Sequence, residues 1–125
     1  MQNAEWKNTM SVEQLKARTK EFAKRVIRLC RSLPGTEEAR LIRNQLFRAG
    51  TAVGANYRAV CRARSKADFI SKMGIVLEET DESLYWMELL VETEIVPPEK
   101  LASLMEEANQ LVSIWVASLN TAKDS

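Results

Sequence analysis

Arginine and lysine are the residues of this chain whose type and spacing can do chemistry. Arg40, Arg48, Arg58, Arg62, Arg64 and Lys66 fall within one stretch, and Lys20, Lys24, Arg28 and Arg31 precede them. Such cations, set along helices, neutralise the phosphates of RNA or DNA and release counterions, which drives binding. No zinc-finger spacing and no aromatic RNA-binding motif accompanies them, so a contact of this kind is electrostatic and weakly sequence-specific. The competing reading is a solvated charged face.

The same inventory argues against an enzyme. The chain has no histidine, which removes Ser-His and Cys-His nucleophile activation, His-containing zinc sites and the Glu-x-x-His ligands of di-iron bundles. Glu78, Glu79, Asp81 and Glu82 can supply oxygen ligands to a hard cation. Their offsets scatter them around a helix, so a solvated acidic face, paired in part with arginine, is the expectation. Gly50 and Gly54 lack the lysine and the strand of a phosphate-cradling loop. Cys30 and Cys61 are too few for a disulfide framework and read as ordinary thiols in a reducing cytoplasm. No catalytic residue, metal or cofactor is expected.

The net charge of +1 conceals an asymmetry. Residues 1–67 hold 15 Lys or Arg against 5 Asp or Glu, and residues 68–125 hold 3 against 12. A chain so polarised can hold a polyanion on one surface, or lay basic and acidic helices side by side within or between copies. Hydrophobic residues at 46% and charged ones at 28% suit a single globular domain over residues 1–125. No run approaches the roughly 20 apolar residues of a membrane span. The first ten residues lack a secretion signal's apolar segment.

Positioning these groups falls to four segments with one period. Ser11 and Gln14 make a capping-box start, and Val12, Leu15, Thr19, Phe22, Val26, Leu29 and Leu33 follow at helical spacing. Pro34-Gly35 ends that segment, and Thr36 can cap the next. Its stripe is Ala39, Ile42, Leu46, Ala49, Val53, Asn56, Val60 and Ala63. Gly50 and Gly54 lie beside it, each costing about 1 kcal/mol relative to alanine inside a helix. Close approach of a neighbouring element is the expected compensation. Asn56, on this stripe, is expected to be a buried polar group fixing helix register.

Ser65 and Asp68 start a third helix with the stripe Ile70, Met73, Leu77, Thr80, Leu84, Met87 and Val91. Pro97-Pro98 precede a fourth, with Leu101, Leu104, Ala108, Leu111 and Trp115, widened by Met105, Val112, Val116 and Leu119. Helices over about 11–33, 37–64, 66–94 and 98–121, joined by short links and with no strand pattern, predict an all-α, antiparallel up-down-up-down four-helix bundle. The third helix carries more apolar surface than one core uses. Ile75, Tyr85, Trp86 and Leu89 are expected on its outer face as a homo-oligomer interface.

The ordered matches Phe22, Lys24-Arg25-Val26, Leu33-Pro34, Gln45-Leu46, Arg48, Gly50-Thr51, Val53-Gly54-Ala55-Asn56-Tyr57-Arg58, Ala63, Ser65-Lys66, Asp68-Phe69-Ile70, Lys72, Glu78, Glu82 and Tyr85-Trp86 span nearly the whole chain. In them it resembles the four-helix-bundle family encoded in intervening sequences of bacterial 23S ribosomal RNA genes. It departs from that pattern at Ala49 and Ala52, where serine is expected, and at Ala59, where glutamate is common. The resemblance implies small cytoplasmic bundles assembled as ring-like homo-oligomers, typically pentamers. An architectural relative, the accessory protein of diversity-generating retroelements, implies nucleic acid and a reverse transcriptase as that relative's partners.

Two functions fit these residues. One is a non-enzymatic, homo-oligomeric accessory protein binding RNA or DNA backbone through Arg40, Arg48, Arg58, Arg62, Arg64 and Lys66. The other is an oligomeric scaffold that presents surfaces to a protein partner, with no nucleic acid and no membrane involved.

Overall fold

The computed structural model describes residues 10–125. The part of the single-domain expectation that covers residues 1–9 lies outside the described residues, as does most of the segment read for a secretion signal. Four helices follow in order: α1 (Val12–Ser32), α2 (Glu37–Cys61), α3 (Lys66–Glu92) and α4 (Pro98–Asp124). No strand occurs among the described residues.

The starts form as the local chemistry requires. The Ser11 hydroxyl accepts the Gln14 N–H at 3.3 Å, and the Gln14 side chain accepts the Ser11 N–H at 3.2 Å. Thr36 caps α2 through the Ala39 N–H, and Ser65 caps α3 through the Asp68 N–H at 3.0 Å. Each cap satisfies an N–H that has no partner within its helix. α4 has no side-chain cap and begins at Pro98, whose missing N–H would be unpaired there anyway. α3 ends through Glu94, which adopts a left-handed φ of 63°, while the Ile95 and Val96 N–H groups both return to the Leu90 carbonyl.

Cross-helix pairs show that neighbouring helices run in opposite directions. Along α1 and α2, Val26 meets Gly50 and Thr19 meets Gly54. Between α3 and α4, Lys66 reaches Ser125 while Thr80 meets Trp115. Between α1 and α4, Arg18 meets Glu107 and Arg25 meets Ser103. Pairs α1–α2, α2–α3 and α3–α4 pack closely, whereas the backbones of α1 and α4 approach at few places. This is the four-helix bundle expected.

The core is built from Leu15, Phe22, Val26, Leu46, Val53, Met73, Val76, Met87, Leu90, Leu101, Leu111 and Trp115, all fully buried or nearly so. Its polar members are each satisfied. Thr19, Thr80, Ser83 and Ser118 donate to the carbonyl four residues earlier, a local bond that lets a hydroxyl enter an apolar interior. Thr80 also accepts the indole N–H of Trp115 at 2.9 Å.

The expected stripes of α1 and α2 hold except at single positions, and that of α3 is partly displaced. Asn56 is not buried but half-exposed; Tyr57 takes the interior place and stacks on Trp115, centroids 5.3 Å apart. The aromatic ring fills more of the centre than an amide can, and it needs fewer polar partners. On α3 the interior positions are Phe69, Met73, Val76, Thr80, Ser83, Met87 and Leu90, so Ile70, Leu77, Leu84 and Val91 turn to the edge. On α1, Cys30 is buried where Leu29 was expected, and Val12 is exposed.

Candidate functional site

The two glycines of α2 bring α1 close. A Cβ on Gly50 would lie 2.8 Å from both γ-carbons of Val26, and one on Gly54 would lie 3.2 Å from the Thr19 hydroxyl. Above this contact runs a groove of about 500 Å³. Its floor is small and largely uncharged, formed by Thr19 and Ala23 of α1 and Thr51, Gly54 and Ala55 of α2. Its rim is cationic: Lys16 and Lys20 on one helix face Arg58 and Arg62 on the other. Glu13 approaches Lys16 at 3.9 Å. Lys20, Arg58 and Arg62 form no ion pair among the described residues.

The six cations expected to act together are separated by the fold. Arg58 and Arg62 line the groove. Arg48 does not: its guanidinium donates to Glu79 at 3.2 Å and to Glu82 at 2.6 Å, bridging α2 to α3. The carboxylates hold the Arg48 guanidinium above its ordinary pKa, with the Glu82 hydrogen bond the largest cause. In turn Glu82 is held below the usual carboxylate range, first by the Trp86 indole N–H at 3.0 Å and then by Arg48. Lys66 donates to the Ser125 carbonyl. Arg64 is exposed beside it at the α2–α3 link, and its backbone N–H donates to Asp68 at 3.2 Å. Arg40 is exposed near the start of α2, about 27 Å along the axis from Arg58.

Lys16 was absent from the expected set and Lys20 was placed only on a basic face of α1. The signal that marks both is their spacing around Thr19, opposite the small residues Gly54 and Ala55. A second groove of about 370 Å³, between α1 and α4, is more apolar, with Leu29, Val96, Leu101 and Leu104 under Arg25, Arg28 and Lys100.

The expected outer face of α3 also divides. Tyr85 is 52% exposed and Ile75 44% exposed. Trp86 and Leu89 instead lie half-buried against the core, with the Trp86 N–H engaged by Glu82. They share the side of α3 that meets α2, because Glu79, Glu82, Trp86 and Leu89 repeat at spacings of three and four, and Glu79 and Glu82 reach Arg48. Of the acidic cluster, Glu79 and Glu82 are the members that answer Arg48. Among the described residues no group of three or more His, Cys, Asp or Glu could hold a metal ion. No helix among them is long and apolar enough to cross a membrane.

Residues 13–117, which take in almost all of the bundle, match the family described as 23S rRNA-intervening sequence protein. The chain belongs to that family. The 23S rRNA-intervening sequence family assignment agrees with the resemblance carried by the matches from Phe22 to Trp86. Among solved structures it is similar to a protein of unknown function from the S23 ribosomal protein family of Bacteroides thetaiotaomicron VPI-5482. The two are 32% identical with a TM-score of 0.81, over 89% of this chain and 99% of that one. Comparison with curated proteins finds no match.

Proposed function

We propose that this member of the 23S rRNA-intervening sequence family is a non-enzymatic, homo-oligomeric accessory protein that binds the backbone of RNA or DNA along the α1–α2 groove. One observation carries the reading. Lys20, Arg58 and Arg62 rim a groove with a small-residue floor and have no carboxylate partner among the described residues. Arg18 and Arg48, by contrast, are held by Glu107, Glu79 and Glu82. Cations without an internal counter-charge are free to exchange bound solution anions for phosphates. The low floor lets a chain approach between the two rows. The exposed Tyr85 and Ile75 support self-association, since aromatic and aliphatic groups left in water on one helix suit a contact between copies.

Binding of labelled RNA and DNA oligonucleotides, measured against salt, tests the groove. Affinity should fall steeply as salt rises, and Lys20→Ala, Arg58→Ala and Arg62→Ala should each reduce the log–log slope by about 1. Arg48→Ala should leave that slope unchanged. Absence of binding at low salt sinks the reading. For assembly, Ile75→Ala with Tyr85→Ala should lower the mass seen by light scattering, and an unchanged mass removes these residues from the interface.

A further inference from the structure

We infer that the ligand of the α1–α2 groove is a single strand, RNA or DNA, with one base stacked on Phe47 while its phosphates follow the flanking cations. This rests on the groove being a phosphate site and adds to it the form of the nucleic acid.

Phe47 stands outside the core. The other two phenylalanines, Phe22 and Phe69, are buried in the core, but Phe47 is 47% exposed. Its position ties it to the groove. Phe47 is not itself part of the groove lining, but it lies one turn before Thr51, which is. Arg58 is eleven residues from Phe47, three helical turns, and so on the same outer face about 16 Å away. Across the seam, the pairing of Gly50 with Val26 and Gly54 with Thr19 sets Phe47 at a level between Lys24 and Arg31 along α1, while Arg28 at that level turns to the α1–α4 groove and pairs with Glu21 at 3.6 Å. Lys24 and Arg31 are exposed. The ring therefore stands one turn beyond the groove, near the exposed Lys24 and Arg31, with Arg58 and Arg62 toward the groove's other end.

An exposed ring beside a phosphate track suits bases that are unstacked. Sequence-tolerant single-strand binding combines a positive groove with aromatic side chains on which bases stack. A duplex keeps its base faces inside and offers a side chain only groove edges and phosphates. Stacking on Phe47 does not touch the sugar, so ribose and deoxyribose strands both serve.

The test is fluorescence anisotropy at low salt with labelled oligo-U, oligo-dT and a duplex of equal length. It uses the full chain and three variants: Phe47→Ala, Phe47→Trp, and Lys20→Ala with Arg58→Ala and Arg62→Ala. Phe47 is not a core residue, and circular dichroism checks that each variant keeps its helices. Expected are tighter binding of single strands than of duplex, a roughly tenfold loss for single strands in Phe47→Ala, no change for duplex, and retention in Phe47→Trp. If Phe47→Ala binds single strands as well as the native chain while the triple variant loses them, the groove holds phosphates but the stacking is wrong. If the native chain binds neither form, the groove reading fails and this inference falls with it.

Discussion

The backbone of Gly50 lies so close to Val26 that any side chain there would strike both γ-methyl groups, at 2.8 Å from an added Cβ. Gly50→Ala should therefore destabilise the protein. Overpacking costs about 1–3 kcal/mol, and the gain in helix propensity returns only about 1 kcal/mol of it. Gly74 provides the control, because nothing lies within 4 Å of its would-be Cβ. Gly74→Ala should stabilise by about 0.5–1 kcal/mol. Urea unfolding of the two variants should move in opposite directions, and Val26→Ala in the Gly50→Ala background should recover part of the loss.

Thr80 joins two layers of the core: it donates to the Val76 carbonyl and accepts from Trp115. Thr80→Val keeps the shape but strands the buried indole N–H. The expected loss is about 1–3 kcal/mol, with a shift in tryptophan emission. An unchanged unfolding midpoint would mean that the indole finds another acceptor.

Glu94 holds a left-handed backbone at the end of α3, a conformation that glycine adopts without steric cost. Glu94→Gly should raise stability by about 1 kcal/mol. Denaturant midpoints decide this directly, and a decrease would show that the Glu94 side chain contributes something the exposed position does not suggest.

Acid should weaken the α2–α3 seam. Glu82 in the folded protein titrates below its ordinary value of 4.5, because Trp86 and Arg48 favour its ionised form. Asp68 is likewise depressed below 3.8, chiefly by Lys72. A carboxyl with a lowered folded pKa stabilises the fold above its unfolded pKa, and that contribution is lost as pH falls through the folded value. Unfolding midpoints should thus decline below about pH 4.5. Glu82→Gln should flatten part of that decline; if the profile is unchanged, the bridge carries no linkage.

Much of the architecture is legible in the residues themselves. Ser11, Thr36 and Ser65 are capping residues by type, and each does cap. Helix limits differ by no more than a few residues, the largest difference being at the ends of α2 and α4. Side-chain facing was harder. α3 is apolar on several sides, so Ile70-Leu77-Leu84-Val91 and Phe69-Val76-Ser83-Leu90 are both periodic, and only packing against α2 and α4 selects the second. Asn56 and Tyr57 are adjacent, and the choice between them depended on Trp115, which lies 58 residues further on. The site divides in the same way. The cations were evident by type, but Arg48 and its partners lie 31 and 34 residues apart, and periodicity within one helix cannot show which charges meet across two.

The sparing approach of α1 to α4 sets how the bundle comes apart. Their charged link, Arg18 to Glu107 at 2.8 Å, is a two-pronged polar clasp at a partly open edge, while α2 and α3 are gripped on both flanks. Amides facing that edge should exchange with heavy water sooner than those of the central pair. The helix bearing Lys20 is thus anchored mainly by its glycine-lined neighbour. A strand lying across the seam would rivet the two together, so occupancy and rigidity should rise in step.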